Sequence, residues 1–431
     1  MMIKYTAHNS LLPFYLAHQL QVDTNKNYNQ YNLCFSYALE SENHATLLIA
    51  KLQELVQSKP YLRQTFALVR DKVVARIHNE LTAVINHVTS SPDELEKLEK
   101  TLINQQHDLR NESAVRLTII KISESNTYIA FFNIHHILMD GTSLDQFIND
   151  LNWLMNGHTV DHESVESYLE CIEDEPPLRD KKDLPELAEY LDKVHDIANS
   201  MEFFSNNTSN AEVLYFTQEL PTAIMLKLVT ASKKNDLSLF NLLLITWSVY
   251  IIKLSNTTST LINYPVNIRH DKFIPGCFIN TLVFPLSLNS GDSYSTIIKE
   301  FCKASSFYKR LSKVELSSCF DLGPLSSFAS SNFAKPANLV IRDKTIVSKG
   351  YPQIAHSNLS IKYKQVDDAL WFSMDCLAEI MPDYLVSTLL SRFFNFLDKL
   401  LDNPKQELSQ VDLTFCREKM LILAEFNKTA Q

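Results

Sequence analysis

Two hydrophobic rhythms replace each other along this chain. In "HATLLIAKLQELVQ" (44–57), Leu47, Leu48, Leu52 and Leu55 recur at the spacing of one helix face, which predicts a helix. "AVRLTIIKI" (114–122) alternates as a strand does, and "TYIAFFNI" (127–134) is a continuous apolar run suited to a central strand. "TSLDQFINDLNWLMNG" then predicts a helix with Leu144, Phe147, Ile148, Leu151 and Leu154 on its buried face. Ser143 and Gln146 form the S-x-x-Q of a capping box at its start, and Gly157 closes it. Later segments read the same way: strands over 211–220, 259–268, 277–288 and 336–344, helices over 236–254 and 294–310. The class is α/β.

A chain of 431 residues is long for one core and suits two domains of roughly 200 residues each. Between 159 and 210 the pattern lapses: "DHESVESYLECIEDEPPLRDKKDLPE" is charged and carries Pro176, Pro177 and Pro185. That places the domain boundary near 176–182, with lobes over 1–178 and 179–415. "TYIAFFNIHHILMDGTSLDQFINDLNWLM" and "ALWFSMDCLAEIMPDYLVSTLLSRFFNFLDKLL" share one layout of apolar strand, turn and amphipathic helix. In the second, Asp-Cys or Cys-Leu stands where the first has His-His, and no Asp-Gly follows. Any α/β protein can yield such a pair, so pattern alone leaves the repeat open.

Composition removes several function classes. Hydrophobic residues at 45% and charged residues at 21% are globular proportions. A net charge of −10 without a basic stripe argues against nucleic acid as a partner. The seven cysteines are scattered, with no C-x-x-C, so neither a disulfide framework nor a metal site is expected. The apolar stretch "LFNLLLITWSVYIIKL" (239–254) falls short of the ~20 residues of a membrane span and reads as a buried helix. The N-terminus makes a poor signal peptide, and a cytoplasmic location is expected.

Only six glycines occur, against an average usage of ~7%, so those present should mark places where the backbone demands one. Gly141 stands in "FFNIHHILMDGTSLDQF" (131–147), where a strand delivers His135 and His136 into a loop that also holds Asp140. Imidazole accepts or donates a proton near neutral pH. A buried Asp140 implies a nearby arginine. Gly141 would let the chain turn sharply and bring a substrate close to main-chain N–H groups, and the start of the following helix suits an oxyanion. A lone histidine at a strand end is usually a packing residue; a tandem pair followed by x-x-x-Asp-Gly is much rarer.

"HHILMDG" (135–141) resembles the HHxxxDG signature of the condensation domains of nonribosomal peptide synthetases. "NSLLPFYLAHQL" (9–20) resembles the opening segment of that family, and Met1 stands so close to it that no folded docking domain is expected ahead of it. "KPYLRQTF" (59–66), with Leu62, Arg63 and Phe66, is similar to H-x-x-L-R-T-x-F. "HDLRNESAVRLTII" (107–120) is similar to the segment with Arg116. "YPVNIRHDKFIPGCFINTLVFPL" (264–286), with Arg269, Gly276, Phe278, Asn280 and Thr281, is similar to the stretch ending G-x-F-V-N-T-L. "LSQVDLTFCREKMLILAEFNKTAQ" (408–431) resembles the linker into an adenylation domain, so 416–431 is read as the start of that linker. There are departures. Thr142 replaces the usual Trp, implying a roomier pocket, and the late Pro-Phe-Glu and Arg-Asp segments are not found between 305 and 340.

The resemblance implies two chloramphenicol-acetyltransferase-like lobes in a V-shaped pseudo-dimer, monomeric as a chain. It implies amide formation between an upstream acyl or peptidyl thioester and the amine of a downstream aminoacyl thioester. Both ride on phosphopantetheine arms of peptidyl carrier proteins; the domain itself would bind no cofactor and no metal. His136 is expected to take the proton or position the amine, Gly141 to support the oxyanion, and His135 to pack and orient the loop. Asp140 is expected to pair with Arg269, with Arg63 as second choice. Thr142, Ser143, Gly276, Asn280 and Thr281 are expected along the substrate tunnel. An epimerization domain is disfavoured by "GCFINTL", and a heterocyclization domain by the histidines themselves. A free-standing acyltransferase and a non-catalytic carrier-protein docking module are the remaining alternatives.

Overall fold

The computed structural model describes residues 2–23, 31–123, 125–175, 178, 184–200, 213–270, 274–314, 316, 326–330, 337–342, 344–351, 359–377 and 388–414. The linker-like segment 416–431 and most of the proposed boundary lie outside these residues.

The first half contains β1 (Met2–Thr6), α1 (Leu12–Asp23), β2 (Asn32–Leu39), α2 (Glu42–Ser58), β3 (Gln64–Val69) and β4 (Lys72–His78). It continues with β5 (Val84–Ser90), α3 (Leu95–Ile103), β6 (Val115–Ile122), β7 (Tyr128–His135), α4 (Gly141–Met155) and α5 (Val165–Glu173). The second half runs α6 (Leu187–Ser200), β8 (Val213–Glu219), α7 (Thr222–Asn235), α8 (Leu239–Ser255), β9 (Ser259–Asn267), β10 (Ile279–Ser287) and α9 (Tyr294–Leu311). It ends with β11 (Ser326–Ser330), β12 (Leu339–Ile341), β13 (Lys344–Ile346), β14 (Ser348–Gly350), β15 (Leu359–Val366), β16 (Ala369–Leu377) and α10 (Leu389–Asp402).

Each half builds a sheet and its own core. The first sheet has the order β14-β2-β7-β6-β5, the second β10-β9-β11-β15-β16-β8. One core runs from Ala7 to Tyr168 with a few later residues, the other from Leu184 to Val411. Within the stretch expected to connect the domains lie two helices, α5 and α6. Tyr168 anchors α5 on the first core, while Leu187, Tyr190, Val194 and Ile197 anchor α6 on the second. The run 239–254 is a buried core helix, and no single helix among the described residues is long and apolar enough to cross a membrane.

The two sheets share a pattern. β5 is parallel to β6, which is antiparallel to β7, which is antiparallel to β2. In the same chain order, β11 is parallel to β15, β15 antiparallel to β16, and β16 antiparallel to β8. Helices follow the matching strands: α2 after β2 and α7 after β8, α4 after β7 and α10 after β16. Val115 lies opposite Ile134, and Leu359 opposite Cys376, so Asn133 corresponds to Asp375 and His135 to Leu377. His135 therefore matches Leu377, one to two places beyond the sequence alignment.

Two segments of the second half cross to the first. The 336–344 stretch, expected as one strand, is a tight β12–β13 hairpin that turns on Arg342 at φ 47°. Asn152 and Asn156 of α4 hold it: Asn152 Nδ2 donates to Asn338 O, and Asn156 Nδ2 to Val340 O. β14 then joins the edge of the first sheet against β2. The other crossing lies between β9 and β10, where residues 268–270 and 274–278 are described and Ile268, Ile274, Cys277 and Phe278 join the first core. That second crossing reaches the histidine loop.

Glycine scarcity has a structural answer. Left-handed positions in turns and helix C-caps are filled by Arg70, Asp71, Asp236, Asn256, Arg342 and Asp367. Gly276 is a true requirement: φ is +151°, and an added Cβ would sit 2.8 Å from Phe278 Cε2. Gly141 is not one of the positive-φ glycines; it is the first helical residue of α4.

Candidate functional site

β7 carries His135 at its last position, and the chain turns through 136–140 into α4. Helix α4 begins two residues before the capping box anticipated, because Asp140 is the N-cap. Its Oδ1 accepts from Ser143 N at 3.0 Å. Asp140 wins that place because its other oxygen is engaged as well. Oδ2 accepts from Phe278 N at 3.0 Å and lies 2.6 Å from Arg269 Nη1, in a pair only 3% and 5% exposed. The main chain closes the contact, with Asp140 N donating to Gly276 O at 3.1 Å.

Arg269 is held on every side. Nε donates to Ile274 O at 2.8 Å, and Nη2 donates to Ser143 Oγ at 2.7 Å and to Gly276 O at 2.8 Å. The guanidinium also lies over the Phe278 ring, 5.0 Å from its centre. Ser143 Oγ accepts from Gly276 N at 2.9 Å. Asp140, Ser143, Arg269 and Gly276 thus form one clasp that ties the start of α4 to the 268–278 crossing. A buried pair with its remaining hydrogen-bonding groups satisfied is the arrangement in which burial of charge is tolerated. Arg63 is elsewhere: its Nη1 donates to His78 O and Asn79 O.

The two histidines differ. His135 is fully buried, and its Nδ1 accepts from Ile137 N at 3.1 Å, which leaves the proton on Nε2. Its ring meets His18 at 5.0 Å and His107 at 5.8 Å between centres. Burial, and then the neighbouring histidines, hold its pKa well below the usual value. His135 therefore stays neutral and braces the loop. His136 is half-buried, packed against Phe14 at 5.2 Å between ring centres, with its main-chain N donating to Tyr31 O at 2.7 Å. Its Nδ1 lies 3.8 Å from Cys277 Sγ. Burial lowers the His136 pKa, hydrogen bonds to main-chain carbonyls and the Asp140 charge act against that, and the Lys362 charge adds to it. Burial, with the Asp140 carboxylate beside it, keeps the Cys277 thiol protonated, so it is no nucleophile.

The residues expected along a tunnel divide. Ser143 and Gly276 are closed inside the clasp. Asn280 is buried too, and its amide donates to Ser312 O and Val314 O just past α9. Thr142 and Thr281 are exposed and free to meet a ligand. Cys277 and Tyr31 were not anticipated at the site; Cys277 stood inside the noted "GCFINT", whereas Tyr31 had no local signal. Among the described residues no group of three or more His, Cys, Asp or Glu side chains is placed to hold a metal ion.

A family model described as "Condensation domain" matches residues 15–423. The chain belongs to the condensation-domain family. Its class of reaction is acyl transfer that forms a peptide bond. The condensation domain is similar to gramicidin S synthase 2 from Brevibacillus brevis, 22% identical over 439 residues, which covers 93% of this chain and 9% of that protein. Surfactin synthase subunit 2 from Bacillus subtilis (strain 168) is 22% identical over 421 residues, covering 93% and 12%. The chain thus spans only a small part of the length of these curated relatives. Among solved structures, the first condensation domain of the calcium-dependent antibiotic synthetase, in complex with substrate analogue 3a, matches with a TM-score of 0.70. Its identity is 13%, and the match covers 96% of this chain and 99% of that one. Holo-AB3403, a four-domain nonribosomal peptide synthetase bound to AMP and glycine, gives 0.72 at 14% identity, covering 97% and 34%. These likenesses establish the two-lobed, chloramphenicol-acetyltransferase-like α/β fold.

Proposed function

We propose that this condensation domain joins a donor acyl or peptidyl thioester to the amine of an acceptor aminoacyl thioester, with His136 at the reacting centre. Each substrate would be carried by the phosphopantetheine arm of a peptidyl carrier protein, one upstream and one downstream, and an adenylation domain would follow the chain. The acceptor nitrogen attacks the thioester carbon, the C–N bond forms, the C–S bond breaks, and the donor leaves as a thiolate. The amine's proton passes to His136 and from there to that thiolate. A thioester is already an activated acyl donor, so holding amine and carbonyl together supplies much of the acceleration.

The observation that carries this reading is the contrast within the histidine pair. His135 is sealed and spent on Ile137 N, while His136 is half-buried, and burial lowers its pKa. The Asp140–Arg269 clasp holds the loop rigid behind it, and Gly141 adds no side chain to hinder the substrate's approach while its N–H is assigned to the oxyanion. Thr142 and Thr281 are assigned to substrate contact. The chemistry needs only reduced thiols, which suits a cytoplasmic setting.

Single-turnover condensation between two loaded carrier proteins tests it. Wild type should form the amide on the downstream carrier, and His136→Ala should lose it at an unchanged melting temperature. A variant that condenses at the wild-type rate would remove His136 from the mechanism.

A further inference from the structure

Between two tightly fastened residues of the second crossing stands a side chain that the clasp does not use. Gly276 donates its N–H to Ser143 Oγ at 2.9 Å, and its carbonyl accepts from Asp140 N at 3.1 Å and from Arg269 Nη2 at 2.8 Å. Phe278 donates its N–H to Asp140 Oδ2 at 3.0 Å, and its carbonyl accepts from Ile268 N at 3.1 Å. With both neighbours pinned, the direction of the Cys277 side chain is set as well, and it carries the sulfur to 3.8 Å from His136 Nδ1. Cys277 is 4% exposed, belongs to the first core, and shares the wall of a small cavity with Ile137 and Leu138 of the histidine loop.

The imidazole meets that sulfur in a seat made by several elements. Phe14 of α1 lies against the ring at 5.2 Å between centres, tilted by 35°, and the main-chain N of His136 donates to Tyr31 O at 2.7 Å. The ring also hydrogen-bonds to the carbonyls of Met139 and of His136 itself. A carbonyl only accepts, and of the two ring nitrogens only Nδ1 is near enough to reach its own residue's carbonyl. Nδ1 therefore carries the hydrogen and Nε2 the lone pair. The state of the sulfur matters here. A thiolate beside an imidazole would hold it as imidazolium, and a cation cannot take the amine's proton. Burial, and then the Asp140 charge, keep this thiol protonated, so it touches the ring as a neutral, polarizable group.

We propose that Cys277 is a positioning residue for the condensation reaction: its sulfur, set by the clasp on either side, stops the Nδ1 edge of the His136 imidazole and so keeps Nε2 as the atom offered to the acceptor amine. This rests on the role given to His136 above. Cys277 forms and breaks no bond in the reaction. The amine's proton goes to Nε2 and from there to the leaving thiolate, while the sulfur only fixes the ring that carries it.

The test reads the ring directly, by NMR of protein labelled with 15N-histidine, with the His136 signals assigned through His136→Ala. In a fixed tautomer the two ring nitrogens give widely separated signals, and a ring that exchanges between tautomers draws them together. Cys277→Ala opens the Nδ1 edge, so the two signals should approach each other. Single-turnover condensation should slow on the order of tenfold, with half-saturation by the carriers unchanged. Cys277→Ser, whose Oγ also accepts from Nδ1–H, should restore both. Wild-type signals in Cys277→Ala at an unchanged melting temperature overturn the proposal even where the rate falls, as does a Cys277→Ser variant no better than Cys277→Ala. Should Cys277→Ala not fold, Cys277→Val, which fills the place without accepting a hydrogen bond, carries the same test. If His136→Ala condenses at the wild-type rate, the role of His136 fails, and that of Cys277 with it. If His136→Ala is inactive while Cys277→Ala keeps the wild-type rate, the role of Cys277 alone fails.

Discussion

The ends of β7 and β16 are the same place built twice, and they serve opposite purposes. In both lobes one strand face enters a core packed by helices. The other face of β7 is covered: Phe131 packs with Leu102 and Ile103 of α3 and with Tyr351 beyond β14, and Asn133 is bound by His107 and Leu102 O. This closure braces His135 and the loop beyond it. Among the described residues the other face of β16 has no such cover from its own helices. It keeps Ser373 and Asp375, which pairs with Lys362, and Lys364 on the same face meets Asp145 of the first lobe. One copy of the fold carries the loop with the histidine pair, and the other turns a polar face toward α4 of the first lobe. A rigid loop needs backing on both faces of its strand, whereas a face that meets a neighbour is left clear of its own helices.

The largest break of this comparison is at Asp140. Asp140→Ala strands Arg269 as an unpaired buried charge and removes the cap of α4, so a loss of about 3–5 kcal/mol is expected. Chemical denaturation should show it, together with abolished condensation. Arg269→Ala should behave alike. The double variant should cost less than the sum of the two, since each removes the same pair.

Next comes the crossing that delivers Arg269. Gly276→Ala places a Cβ against Phe278 at a backbone angle L residues avoid, and a cost of about 1–3 kcal/mol is expected. Because Gly276 N and O both bind within the clasp, condensation should fall more than stability does. A rate near wild type beside a lowered melting temperature would show that the clasp tolerates movement.

Acid should act through the backing of the first lobe. Burial, the first cause for each, pushes His18 down to about 4 and His107 down to about 3. Both are neutral in the fold and bind protons more readily when unfolded. Their contribution is therefore complete above the ordinary histidine pKa near 6.5 and declines as the pH falls toward those depressed values. Each such histidine steepens the fall in stability by about 1.4 kcal/mol per pH unit across that window. Denaturation curves between about pH 7 and 4 should show the slope, and His107→Gln should flatten it.

Much of this was legible in the sequence, and what was not has a physical reason. β7 and α4 announce themselves because their apolar spacing is local. The need of a buried Asp140 for an arginine follows from the cost of an unpaired carboxylate, and "GCFINT" beside Arg269 directed the choice. The start of α4 was misplaced because S-x-x-Q and Asp-Gly-x-Ser both fit an N-cap, and the residue that decides it, Phe278, lies 138 positions further on. Asn280 looked like a lining residue because nothing nearby shows that its amide is spent on Ser312 and Val314. His18 and His107 meet His135 only in space.

The smallest effect concerns the contact where the two copies meet. Lys364–Asp145 joins β15 to α4 at 3.0 Å, with the lysine largely buried and the aspartate one-third exposed. Partial solvation and the entropy of a long side chain limit such a pair, and Lys364→Ala should cost about 1 kcal/mol or less. Its value to the comparison lies in geometry: Lys364 is two residues from Lys362 on the same strand face, so it holds that face against the helix Asp140 caps. Lys364→Ala should leave folding nearly unchanged by chemical denaturation while single-turnover condensation slows, since α4 carries the clasp of the histidine loop on its first turn. A wild-type rate in that variant would mean that the polar face keeps its place against α4 without this tie.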